Sequence, residues 1–300
     1  MTASGGAPPA GPIGIRRTYS LQLGNQRIDV GPRTLIMGVL NCTPDSFYDG
    51  GCHASPDAAR RRFDEMVAEG ADWVDVGGES TRPGASPIDA IEEWQRIAPV
   101  LDGARRRSPG TVISIDTTKY EVAARALDAG AVVINDVSAL RFNPRLAELA
   151  ARYRAGLILM HMRGTPRTMQ KQPHYDDLLT EVGAELAAAR AAARARGVRT
   201  EQILFDPGIG FGKTADHNFE LLARLGELAS LDRPLLIGCS RKRFLGAAAD
   251  LPPAERLEGT LAAHTAAVLA GAHIVRVHDV RPHVRAMRIA DALRAHALTG

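Results

Sequence analysis

Cysteine, lysine and long apolar runs are all scarce in this 300-residue sequence, and each scarcity excludes something. Three cysteines (Cys42, Cys52 and Cys239) are an odd number without metal-ligand spacing, which argues against a disulfide framework or a zinc site and for a reduced, cytoplasmic setting. No apolar run reaches the roughly 18 residues that a membrane span needs. Met1 to Gly14 is rich in Gly, Pro and Ala and lacks the basic start and apolar stretch of a secretory signal. Net charge is also small, at +3, and the basic residues are scattered rather than striped, which excludes an electrostatic nucleic-acid footprint. Lysine stands only at positions 119, 171, 213 and 242, all other fixed positive charge being arginine. The two exchange freely on solvated surfaces but not where a compact ammonium fits a site, so each remaining lysine is a candidate for a specific task.

What is present is a repeating alternation. A short hairpin is expected over Tyr19–Gly31, turning at Gly24-Asn25. Eight short apolar runs follow: Thr34–Leu40, Trp73–Val76, Val112–Ile115, Val132–Ile134, Leu157–Met160, Ile203–Phe205, Leu235–Ile237 and Ile274–Val277. Their near-continuous hydrophobicity fits strands buried on both faces, as in a parallel sheet. Amphipathic stretches of helical period separate them, among them Pro56–Glu69, Asp89–Arg107, Asn218–Leu228, Ala254–Leu269 and Val284–His296. Eight strand–helix units predict a single (β/α)8 TIM barrel over residues 19–300, with residues 1–18 as a flexible tail. An open doubly wound sheet is the alternative, and the lack of a Gly-x-Gly-x-x-Gly after the first strand counts against its dinucleotide-binding form.

Polar residues gather just after the strands, where a barrel of this kind places its catalytic loops. Asp116, Asn135 and Asp206 would share one pocket, and two carboxylates with an amide suit a flat, nitrogen-rich heterocycle. Arg82, Arg276 and His278 could meet to hold a polyanion, since arginine forks match phosphate oxygens in pairs, with Asn41 and Thr81 as neutral ligands. Lys242 falls between the two groups; a salt bridge to a barrel aspartate is its plainer reading.

Seven strand-end segments carry a resemblance: Met37–Gly51 (MGVLNCTPDSFYDGG), Val74–Ala85 (VDVGGESTRPGA), Ser114–Lys119 (SIDTTK), Ile134–Leu140 (INDVSAL), Phe205–Thr214 (FDPGIGFGKT), Gly238–Gly246 (GCSRKRFLG) and Val275–Val280 (VRVHDV). In this order, from about Tyr19 to the last helix, they resemble the dihydropteroate synthases of the pterin-binding barrel family. That family joins 6-hydroxymethyl-7,8-dihydropterin diphosphate to p-aminobenzoate, giving 7,8-dihydropteroate and pyrophosphate. The resemblance implies that Asp116, Asn135, Asp206 and Lys242 hold the pterin, and that Thr81, Arg82, Arg276 and His278 engage the diphosphate. It further implies that Asn41 helps bind Mg2+ and that Ser240, at the start of a helix, sits near the p-aminobenzoate carboxylate. Asp116, Lys242, Arg276 and His278 would be the catalytic groups, the chain a homodimer joined through its late helices, and sulfonamides its inhibitors. Cys42 stands where the family commonly has valine and Tyr48 where it has serine, which puts details of the first loop in question. A pterin-dependent methyltransferase and a catalytically silent pterin-binding paralogue are the competing readings.

Overall fold

A computed structural model describes residues 13–43, 56–80 and 84–297. Tyr48, Cys52, Thr81 and Arg82 lie outside the described residues.

The expected hairpin forms from β1 (Tyr19–Leu23) and β2 (Gln26–Val30), antiparallel with Leu21 opposite Ile28. Eight parallel strands follow: β3 (Leu35–Asn41), β4 (Trp73–Gly77), β5 (Val112–Asp116), β6 (Val133–Asp136), β7 (Gly156–Met160), β8 (Ile203–Asp206), β9 (Leu236–Ile237) and β10 (Ile274–Val277). They run in the order β8-β7-β6-β5-β4-β3-β10-β9. A parallel bridge between Phe205 and Leu235 then joins the two ends, closing the sheet into the TIM barrel.

Helices wrap the outside: α1 (Pro56–Glu69), α2 (Ala90–Leu101), α3 (Ala104–Arg107), α4 (Tyr120–Asp128), α5 (Arg145–Tyr153), α6 (Leu178–Ala195), α7 (Ala215–Ala223), α8 (Arg243–Ala249), α9 (Leu257–Leu269) and α10 (Val280–Ala297). Some of their starts are closed by a side-chain cap. Asp89 accepts from the Glu92 N–H at 2.8 Å before α2, and the Thr214 hydroxyl accepts from the His217 N–H at 3.1 Å before α7. Several boundaries differ from the sequence expectation: the helix expected over Ala254–Leu269, for one, begins at Leu257 after a 3₁₀ turn over Pro253–Glu255. The single helix expected over Asp89–Arg107 divides in two because Gly103 adopts a left-handed φ of 68°. The helix expected over Asn218–Leu228 starts earlier, ends at Ala223 and tightens into 3₁₀ turns over Leu225–Leu231. And α10 begins four residues before Val284, since Pro282 falls in its first turn, where a missing N–H costs nothing.

The hairpin closes one end of the barrel. Leu21, Leu23 and Val30 pack against inward side chains drawn from every barrel strand: Leu35 and Met37, then Trp73, Val112, Val133, Ile158, Leu204, Leu236 and Ile274. Burying a leucine of this kind contributes about 1.5–3 kcal/mol, which holds in place a two-stranded ribbon that would not stand alone. The lead-in is pinned as well. Gly14 N–H donates to Leu269 O at 2.8 Å, and Arg16 pairs with Asp291 at 2.8 Å. Among the described residues no helix is long and apolar enough to cross a membrane.

Candidate active site

Strand register sets the first row of the opposite end. Asn41 pairs with Gly77, Gly77 with Asp116, and Asp116 with Asn135, so β3, β4, β5 and β6 end level. From the far side, Arg276 on β10 reaches across. Its Nε donates to Asp75 Oδ2 at 2.7 Å, and one terminal nitrogen donates to Asp116 Oδ2 at 2.8 Å. Asn135 Nδ2 donates to the same Asp75 oxygen at 2.8 Å. Arg276, Asp75, Asp116 and Asn135 therefore form one continuous hydrogen-bonded wall. Arg276 is grouped by sequence with the polyanion ligands; the fold places it between the two carboxylates, bridging the expected clusters.

Asp75 was not foreseen as a site residue. It is fully buried in the middle of β4, and its Oδ1 has no hydrogen-bond partner. A charge inside a strand otherwise reading Trp-Val-x-Val is the signal that could have found it, because a buried carboxylate needs a cation or donors to be tolerated.

The Asp116 carboxyl is pushed up to about 7, first by burial, with Arg276 opposing and Asp75, Glu93 and Asp136 adding to the rise. The folded chain therefore holds a proton on Asp116 between pH 3.8, its ordinary value, and about 7, whereas the unfolded chain does not. By linkage this contribution to stability is largest on the acid side and is lost as pH rises through that window. Asp116→Asn is accordingly expected to flatten the dependence: from pH 5 to pH 7 the thermal midpoint of the unsubstituted protein should fall by about 2 °C or more relative to the variant's. Parallel melting curves across that range would refute the assignment.

Asp206 ends β8, with Oδ1 accepting from the Gly208 N–H at 2.7 Å. Burial raises its carboxyl, and Lys242 is the foremost opposing charge. The glycine-rich turn that follows is sterically required. A Cβ at Gly208 (φ 71°) would lie 1.8 Å from His161 O, and one at Gly210 (φ 81°) would lie 3.0 Å from Lys242 Cδ. The Lys242 ammonium donates to Ile209 O and sits 4.5 Å from the centre of the Phe211 ring, a cation–π contact. It thus finds a carbonyl and a ring face rather than a salt bridge. Burial lowers it to about 8, with Asp206 opposing.

Ser240 and His278 meet across β9 and β10. Ser240 Oγ accepts the His278 N–H at 3.1 Å and lies 2.8 Å from His278 Nδ1. Because α8 opens after Lys242 as its N-cap, Ser240 lies ahead of the helix and not at its start.

Two lysines outside the expected site hold its walls. Lys213 is buried, 2.9 Å from His161 Nδ1, and donates to the carbonyls of Gly208 at 3.0 Å and Phe211 at 3.2 Å, fixing the turn after Asp206. Burial lowers this amine to about 7 and His161 to about 4. Lys119, after β5, donates to Glu79 at 2.8 Å and to the fully buried Glu93, tying the second loop to α2. Cys42 and Cys239 are buried free thiols raised by burial to about 12, which suits packing and not nucleophilic chemistry.

Asn41 is half-buried at the end of β3, and no cluster of three or more His, Cys, Asp or Glu among the described residues could hold a metal. That donor set fits Mg2+ only in the manner of phosphate-transfer sites, where one or two protein oxygens complete a shell supplied by substrate phosphates and water.

A barrel with a carboxylate–amide–guanidinium wall at its open end defines a class. A family model described as pterin binding enzyme matches residues 37–278, and the chain belongs to that family. Within it the chain is similar to dihydropteroate synthases. That of Synechocystis sp. is 47% identical over 274 residues, covering 91% of this chain and 94% of that protein. The Yersinia pestis dihydropteroate synthase, solved with a sulfonamide drug complex, superposes with a TM-score of 0.87 at 41% identity, covering 92% of this chain and all of that one. The Clostridium difficile enzyme, solved in the presence of pteroic acid, gives 0.82 at 42% identity, covering 89% and 98%.

Proposed function

We propose that this chain condenses 6-hydroxymethyl-7,8-dihydropterin diphosphate with p-aminobenzoate, yielding 7,8-dihydropteroate and pyrophosphate. The carrying observation is the buried wall of Asp75, Asp116, Asn135 and Arg276, with Asp206 and Lys242 beside it. Pteroic acid in the Clostridium difficile relative joins the two substrate halves in one molecule, and a sulfonamide in the Yersinia pestis relative is a p-aminobenzoate mimic.

In this reading Asp116, Asn135, Asp206 and Lys242 bind the pterin edge, the carboxylates accepting from ring N–H groups and Lys242 donating. Donors placed against Asp116 favour its ionised form, so the bound ring meets a carboxylate able to stabilise positive charge. The methylene–oxygen bond breaks with its electron pair leaving on pyrophosphate, and the aniline nitrogen supplies the pair for the new carbon–nitrogen bond before losing its proton to water. Arg276 and His278, with Thr81 and Arg82 from the second loop, stabilise the departing charge, and Ser240 lies toward the p-aminobenzoate carboxylate. Mg2+, held by Asn41 together with the diphosphate, would add charge neutralisation there. No enzyme nucleophile is needed, so the barrel acts by positioning and electrostatics.

The setting is cytoplasmic and the assembly a homodimer through the late helices; Ile289 and Leu293 stand exposed one turn apart on α10, and sedimentation of the purified chain checks the mass. The decisive assay follows pyrophosphate release from the two substrates with Mg2+. Release dependent on p-aminobenzoate is expected; pterin binding with no release would reduce the chain to a binding protein.

A further inference from the structure

The loop between β9 and α8 carries Ser240 and Lys242, and its own turn bond, from Lys242 N–H to Cys239 O at 3.2 Å, is supplemented by neighbouring side chains. Arg241 adopts a left-handed φ of 56°, unusual for a residue with a side chain. Two side chains of α9, one helical turn apart, catch the loop's amides. Thr260 Oγ1 accepts the Arg241 N–H at 3.1 Å, and His264 Nε2 accepts the Cys239 N–H at 3.0 Å. The chain of bonds continues inward. His264 Nδ1 lies 3.0 Å from His283 Nε2, and His283 Nδ1 lies 2.6 Å from Asp279 O.

Protons on this chain have one consistent arrangement. An amide N–H can only donate and a carbonyl can only accept. His264 therefore leaves Nε2 bare and carries its proton on Nδ1, which donates to His283 Nε2; His283 in turn donates from Nδ1 to Asp279 O. Both rings are fully buried, and burial is the first cause holding each below its ordinary value. At His264 the charges of His283, Lys242 and His278 add to that, while the Ile237 carbonyl opposes. Neutral rings are what the chain requires, since a second proton on His264 would leave the Cys239 N–H facing a donor.

The two ends of the chain are the two halves of the polar mouth. Cys239 immediately precedes Ser240, and Asp279 immediately follows His278. The same halves are joined on the outer side by Ser240 with His278 and by Arg241 with Asp279, the latter through two contacts of 2.6 and 3.0 Å. We propose that His264, oriented by His283, is a positioning residue that holds the 239–242 loop in register with the 278–279 turn, so that Ser240 and Lys242 face the substrates at a fixed distance from His278. This rests on the substrate roles given above to Ser240 and Lys242.

The test separates binding from turnover, because the loop presents binding groups and His264 touches no reacting atom. His264→Leu is expected to raise KM for p-aminobenzoate about tenfold, the lower end of what loss of an outer orienting partner costs, with kcat changed less than about threefold. His264→Gln offers a carbonyl oxygen to Cys239 and an amide N–H to His283, and should recover most of that loss. An unchanged KM in a folded His264→Leu protein, or equal impairment in the Gln and Leu variants, overturns the proposal. Nitrogen-15 spectra of the unsubstituted protein give a reading independent of whether any variant folds: both rings are expected with the proton on Nδ1, and an Nε2-protonated His264 overturns it. Lys242→Ala and Ser240→Ala test the underlying roles separately. Lys242→Ala should weaken pterin binding and Ser240→Ala p-aminobenzoate binding; if neither does while His264→Leu still raises KM, the substrate assignments fail and the positioning role stands.

Discussion

Arg276→Ala is expected to be the most damaging single substitution at the barrel mouth, lowering kcat/KM at least 100-fold and stability by about 3 kcal/mol. The two losses have one origin. The guanidinium bonds both Asp75 and Asp116, and Asp75 is fully buried, so removing the arginine strands two carboxylates in a dry wall. Breaking a buried pair from one side costs more than the pair itself contributes, because the remaining charge has no solvent to turn to. In the reaction the same residue is proposed to face the departing pyrophosphate, where donors aimed at developing charge weigh most. Arg276→Lys should fall between, since an ammonium keeps the charge but lacks a fork that can reach both carboxylates. Urea denaturation and pyrophosphate release, measured on the same preparations, check both figures. A stable, near-fully active Arg276→Ala protein would show that the wall does not organise the site.

The second large effect is expected at Asp75, a residue no substrate role has been given. Asp75→Ala removes the shared acceptor of Asn135 Nδ2 and Arg276 Nε, leaving two donors short of a partner at about 1–3 kcal/mol each. The Asn135 amide, proposed above to face the pterin, is then free to rotate, and a displacement of the order of 1 Å in a positioning group costs about 100-fold in rate. A fall of that size in kcat/KM, with p-aminobenzoate KM less affected than pterin KM, is the expected result in steady-state assays. Equal effects on both substrates would instead mean a general loosening of the barrel end.

Much of this was legible in the chain because barrel strands write themselves as short, unbroken apolar runs, and because their ends are marked by abrupt polarity. Asp116, Asn135 and Asp206 could be placed on one mouth from that punctuation alone. The lysine scarcity also carried information: Lys242, Lys213 and Lys119 lie in or behind the mouth, and Lys171 is the exposed one. Asp75 escaped because strand periodicity treats one polar residue among valines as noise, whereas in three dimensions it is the acceptor on which two other groups depend. The division of the expected Asp89–Arg107 helix turned on Gly103, whose left-handed conformation competes with an otherwise continuous helical period. His264 falls inside the helix expected over Ala254–Leu269, and His283 just ahead of the one expected from Val284, neither marked by any motif. Nothing in a linear pattern says that helices α9 and α10 lie side by side with one ring nitrogen facing another.

The hairpin at the other end has a consequence for the order of events. With Leu21, Leu23 and Val30 filling the bore, the barrel formed by the described residues is closed at the hairpin end and leaves the polar end as the way in. Reactants and products share that doorway, so the molecule seated deepest must arrive first, and its partner stands behind it like a cork. Pyrophosphate, released beneath or beside an incoming arylamine, must leave by the route the arylamine takes. Traffic through a one-door chamber is sequential, and a lingering product there blocks the next turnover as effectively as an inhibitor.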